Sequence, residues 1–153
     1  MNIQSKDLEV KFFYFSLKFT PLKSYDNLNS SDIIKNVITY ISQKLIKDKL
    51  GHLIDKHETR DNSRREMFIN RAVFVHNERR IRCSMALLRS GRKPLLKPKD
   101  KFTLISIDEY GIDSIVEETH FFIDFSKNTP IVCCEYQHFG PRMSDIEFYF
   151  RNV

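Results

Sequence analysis

A chain of 153 residues, 41 % hydrophobic and 29 % charged, suits one soluble globular domain spanning 1–153, able to bury roughly 70 % of its unfolded surface. No apolar run reaches the ~20 residues of a membrane helix, and the N-terminal MNIQSKDLEV lacks the apolar core of a secretory signal. The net charge of +5 hides an uneven layout: residues 1–59 carry nine Lys against seven acids, 60–101 carry thirteen Lys and Arg against four acids, and 102–153 carry three against nine.

Leu8 to Thr20 reads as a first strand, and the run Phe12-Phe13-Tyr14-Phe15 is apolar on both sides, which predicts a central place in a sheet. Pro21 ends it, and a polar loop leads to Ser30 or Ser31 as helix cap, with Asp32 favouring the helix dipole. Ile34, Val37, Ile38, Ile41 and Leu45 form one stripe at helical spacing, so this is an amphipathic helix that packs on the sheet and ends near Gly51 or runs on to Leu53-Ile54. His57 to Arg65 is a polar, Arg-rich loop.

Met67 to Ser90 reads as two strands folded back at Asn77-Glu78. Arg79 to Leu87 alternates, with Ile81, Cys83, Met85 and Leu87 on one side and Arg80, Arg82 and Ser84 on the other. A two-residue turn sets Phe74 opposite Ile81, Ala72 opposite Cys83 and Phe68 opposite Leu87. That register collects Arg71, Arg80 and Arg82 on the second face, among Ile69, Val73 and Val75, whereas a one-residue slip scatters them. Arg89 to Lys101, interrupted by Gly91, Pro94 and Pro98, is a basic loop pinned by Leu95 and Leu96.

Phe102 to Ile107 is a fourth strand, turning at Glu109-Tyr110-Gly111. Ile115 to Phe125 and Ile131 to Gln137 follow as strands joined across Lys127-Asn128-Thr129, and both look buried on two sides. Ser144 caps a final helix, Asp145 to Arg151, whose apolar residues cover so much of its surface that it either packs into the domain or belongs to a longer chain. The short connections favour antiparallel neighbours. The expected fold is α+β, an antiparallel sheet of about six strands in the order β-α-β-β-β-β-β-α.

Candidate chemistry is sparse. Asp124, with Glu135 and Gln137 on the next strand, resembles the PD-(D/E)xK nuclease pattern, which holds a divalent cation. Gln137 stands where that pattern has Lys, no Pro precedes Asp124, and a short turn sets Glu135 about four residues, over 10 Å, along the ladder. The same turn puts His120 directly across from Glu135. Cys133 and Cys134 are adjacent on a strand and point to opposite faces, so they cannot chelate together. An odd count of three Cys fits reduced thiols in a cytoplasm better than a disulfide framework. No nucleophile elbow, phosphate loop or dinucleotide fingerprint is present, and no cofactor or metal site is expected.

The remaining signal is arginine. Nine of the eleven lie between Arg60 and Arg92. Arg60, Arg64, Arg65, Arg71, Arg79, Arg80, Arg82, Arg89, Arg92 and Lys93 are the candidate nucleic-acid-binding residues, suited to phosphate contacts with DNA or RNA of little sequence preference. No base-stacking aromatic is expected among them, which points to backbone contact rather than base reading. The expected function is a non-enzymatic binding module. The alternatives are a subunit that self-assembles or docks an acidic protein surface, and a divergent metal-dependent nuclease.

Overall fold

The computed structural model describes residues 10–20, 27–47, 51–57, 64–75, 79–89, 95–100, 102–112 and 114–153. The chain is α+β. In order it forms β1 (Phe12–Ser16), α1 (Ser30–Lys47), β2 (Ile54–Asp55), β3 (Glu66–Val75), β4 (Arg80–Leu88), β5 (Leu95–Leu96), β6 (Ile105–Ser106), a 3-10 turn (Ile107–Tyr110), β7 (Val116–Asp124), β8 (Ile131–Glu135) and α2 (Met143–Asn152). Six strands make one antiparallel sheet in the order β1-β8-β7-β4-β3-β2, and β5 and β6 pair separately.

Both helices cover the same side of the sheet. Ile34, Ile38 and Ile41 of α1 and Ile146, Tyr149 and Phe150 of α2 share one core with Ile81, Cys83, Met85, Phe121, Ile123, Val132 and Cys134. The other side of the sheet is open. This overturns the expectation that β7 and β8 are buried on two sides: Phe122 and Ile131 are 39 % and 40 % exposed. It also overturns the central position expected for β1. Pairing with β8 alone leaves β1 at the sheet edge, with all five residues exposed.

The hairpin keeps the expected register at its turn end, with Phe74 opposite Ile81, Ala72 opposite Cys83 and Val73 opposite Arg82. Residues 76–78, which include the expected turn Asn77-Glu78, lie outside the described residues. Lower down, the register shifts between Ile69 and Arg71, so Asn70 is the extra residue of a β-bulge. The bulge has a chemical anchor, since the Asn70 amide donates to Glu118 and its carbonyl accepts the hydroxyl of buried Ser84. It moves Ile69 to the core face, where the residue is fully buried, and sets Met67 rather than Phe68 opposite Leu87. Arg71 and Val73 stay on the open face.

The helix ends differ from expectation for identifiable reasons. Asn29 caps α1: its side chain accepts the Asp32 amide at 3.0 Å while Asp32 accepts the Asn29 amide at 3.3 Å. Ser30 instead bonds the Phe19 backbone, and Ser31 donates to the Lys127 carbonyl. The described part of α1 runs to Lys47, the expected end near Gly51 falls where residues 48–50 lie outside the described residues, and Ile54 belongs to β2. α2 begins two residues before Asp145, and the Asp145 carboxylate, not Ser144, accepts the Arg142 amide at its N-terminus. Its apolar residues pack into the domain's own core. The expected fourth strand shrinks to Ile105–Ser106, and the expected pins Leu95 and Leu96 are exposed, paired only with β6.

Candidate functional site

The register places the open-face residues in rows that cross the sheet. One row runs Val73, Arg82, Phe122, Cys133, Tyr14 from β3 to β1. The next, nearer the hairpin end, runs Val75, Arg80, Asp124, Ile131, Ser16. On the far side, Arg71 lies opposite Ser84, which lies opposite His120. Arginines therefore occupy the β3–β4 half of the face, and exposed aromatic and aliphatic side chains occupy the β7–β8–β1 half. Tyr14 is 73 % exposed, and a shallow depression of about 330 Å³ opens between it, Phe122, Ile131, Cys133, Arg80 and Asp124. A hydrogen bond with Cys133 and the charge of its thiolate form raise the Tyr14 phenol above its ordinary pKa.

The sequence-derived arginines divide into two groups. Arg71, Arg79, Arg80 and Arg82 lie at the hairpin half of β3–β4. Arg64, Arg65 and Arg89 lie at the opposite end of β4, nine residues or roughly 30 Å from Arg80 along the strand. Arg60, Arg92 and Lys93 lie outside the described residues. The described arginines therefore form two separate clusters.

Ion pairing divides them further, because β4 lies beside the acidic β7. Arg80 binds Asp124 at 2.8 Å, Arg89 binds Glu117, and Arg65 holds Asp145 through two bonds of 3.0 and 2.7 Å. Arg64 is 3.6 Å from Glu66. The charge contrast between 60–101 and 102–153 is thus partly satisfied inside the chain. Arg71, Arg79 and Arg82 are exposed and have no ion-pair partner among the described residues, although the charge of Arg71 helps to hold Glu118 below the ordinary carboxylate range, after hydrogen bonds from Asn70 and Ser84.

Asp124 and Glu135 are not placed to share one ion. Asp124 is opposite Ile131, four residues from Glu135, and is held below its ordinary pKa first by Ser126 and then by Arg80. Glu135 instead accepts from Gln137 at 2.8 Å and meets His120 Nδ1 at 3.0 Å, the cross-strand contact the sequence predicts. His120 Nε2 lies 3.7 Å from Glu118 on the other side. Among the described residues, no group of three His, Cys, Asp or Glu could hold a metal ion. Cys83 and Cys134 lie in the core and Cys133 faces outward, so the adjacent cysteines point to opposite sides as expected.

The site residues that sequence reasoning missed are Phe122 and Tyr14. A signal for Phe122 was present: in His120-x-Phe122-x-Asp124 it shares its side of the strand with two polar residues, whereas Phe121 and Ile123 form the apolar side. No described helix is long and apolar enough to cross a membrane. Comparisons with protein-family models, with curated proteins and with solved structures find no match to this chain.

Proposed function

We propose that the protein is a non-enzymatic binding module that contacts nucleic-acid backbone with the open face of its sheet. The observation that carries this reading is the exposure of Arg71 and Arg82 on that face, with Arg79 in the adjoining turn, all without ion-pair partners among the described residues. Their guanidinium groups present planar, permanently charged forks suited to phosphate oxygens. Arg80 stands beside them and can exchange Asp124 for phosphate, because an exposed ion pair is worth at most about 1 kcal/mol. Arg65, bound to Asp145, has a structural role instead. Three free thiols accord with a reducing, cytoplasmic setting.

The test is binding of labelled DNA and RNA oligonucleotides by anisotropy across a salt series. Replacing Arg71, Arg79 and Arg82 by Gln disturbs neither the core face nor any ion pair described above. The variant should fold normally, bind more weakly, and show a salt slope shallower by about 2. Unchanged binding in the variant removes the reading.

A second reading, self-association, is favoured by β1. A sheet edge with exposed Phe12, Phe13, Tyr14 and Phe15 is a template for another strand. The two readings are compatible, since a sheet continued across β1 joins two open faces side by side.

A further inference from the structure

Duplex and single-stranded nucleic acid present different chemistry to a flat protein face. A duplex offers phosphates with its bases already stacked, whereas a single strand also offers free base faces. The open sheet face is built in two halves. Arg71, Arg82 and Arg80 follow one another along the hairpin half, and Phe122 and Tyr14 lie beyond them toward the β1 edge. Arg82 and Phe122 are direct cross-strand neighbours, about 5 Å apart in the sheet, and Tyr14 lies two strands, or about 10 Å, beyond Phe122. Both rings are exposed, and the strand of Phe122 already carries a fully buried apolar side in Phe121 and Ile123, so folding alone does not require an aromatic group there.

We infer that this face selects single-stranded over double-stranded nucleic acid, with the backbone on the arginines of β3 and β4 and bases splayed across the sheet to stack on Phe122 and Tyr14. The inference rests on the backbone-binding reading above and deepens it by naming the ligand. A strand tracking β4 turns its bases toward β7 and β8, where the depression between Phe122, Ile131, Cys133 and Tyr14 leaves room for a planar ring. Every base has a π-face, so stacking on Phe122 or Tyr14 discriminates strandedness rather than sequence. Cation–π contact between Arg82 and a base stacked on its neighbour Phe122 adds to the same preference. A folded protein partner has no need of the aromatic character: to it, Phe122 is an apolar anchor that leucine replaces.

The experiment uses the full chain, an oligothymidylate, an oligouridylate and a duplex of matched length. The parent should bind the single strands more tightly than the duplex. Phe122→Leu keeps apolar bulk and removes the π-face, so it should weaken single-strand binding roughly tenfold while leaving duplex binding and the salt slope unchanged. The chain has no Trp and six Tyr, so the part of a tyrosine quench that disappears in Tyr14→Phe reports the site. Oligonucleotide should quench tyrosine emission in the parent, and Tyr14→Phe should keep the affinity but lose part of the quench. Equal binding of single strands and duplex, unmoved by Phe122→Leu but weakened by the arginine substitutions, overturns the stacking inference and leaves backbone binding standing. Absence of binding by the parent at low salt overturns both.

Discussion

Asp145 shows how one carboxylate joins distant parts of the chain. It is buried, yet it accepts two bonds from Arg65, one from Lys56 at 2.9 Å and one from the Arg142 amide. Burial alone raises a carboxyl pKa, but the Arg65, Arg142 and Lys56 donors outweigh it and hold Asp145 down at about 2, against an ordinary 3.8. Because the folded value lies below the unfolded one, the bridge contributes fully above about pH 4 and is lost as the pH falls through about 2. Its linkage is worth roughly 2 kcal/mol. Asp145→Asn leaves Arg65 and Lys56 half-buried without their counter-charge, and should cost about 2–3 kcal/mol at neutral pH. Urea unfolding of parent and variant checks this: the gap between them should narrow near pH 2. A constant gap refutes the ionic account. Sequence reasoning placed Arg65 in a ligand patch because its partner is 80 residues away and invisible to local pattern.

At the scale of elements, β1 and the Asn70 bulge carry the consequences. Leu17 donates to Pro130, and Lys11 accepts from Tyr136, so the odd-numbered residues of β1 bond β8. Phe12, Tyr14 and Ser16 therefore turn their backbone groups outward. A second copy pairing antiparallel about Tyr14 satisfies these groups and sets Phe13 against Phe15 of the copy. Light scattering should detect a dimer that weakens when Phe12 and Ser16 are both changed to Lys, because charge on an edge strand opposes pairing. A parent that stays monomeric at every concentration and ionic strength removes this reading. The bulge is the matching case on the other side of the sheet. Alternation alone predicted Ile69 on the arginine face, and one extra residue reversed it. Nothing in a period-two pattern announces an inserted residue whose anchor, Glu118, lies on a strand far along the chain.

The described helices and the six-stranded sheet share one core, and α2 supplies part of it. β1 pairs with β8, and α2 adds Ile146, Tyr149 and Phe150 to the layer formed with α1. Tyr149 also donates to the His52 carbonyl at 2.8 Å, tying α2 to the stretch before β2. Burying three such side chains contributes about 6 kcal/mol, comparable to the entire stability of a small domain. A chain ending at Pro141 should therefore lose cooperative unfolding as followed by circular dichroism. A sharp transition retained in that truncation shows that α2 is dispensable.

The α+β class, the α1 stripe, the β3–β4 hairpin at its turn end and the His120–Glu135 contact were legible in the sequence, because each follows from periodicity or from a short turn that sets register. What only the tertiary structure decided is which faces stay open and which charges stay unpaired. Placing both helices on one side exposes Phe122 and Ile131, on two strands that read as buried on both sides, and putting β1 at the edge exposes four aromatic residues that read as core. Setting β7 beside β4 neutralises Arg80 and Arg89 but leaves Arg71 and Arg82 exposed. Strand order is a choice among pairings of similar local strength, so it is settled by how the whole apolar surface is covered, and no local pattern records that.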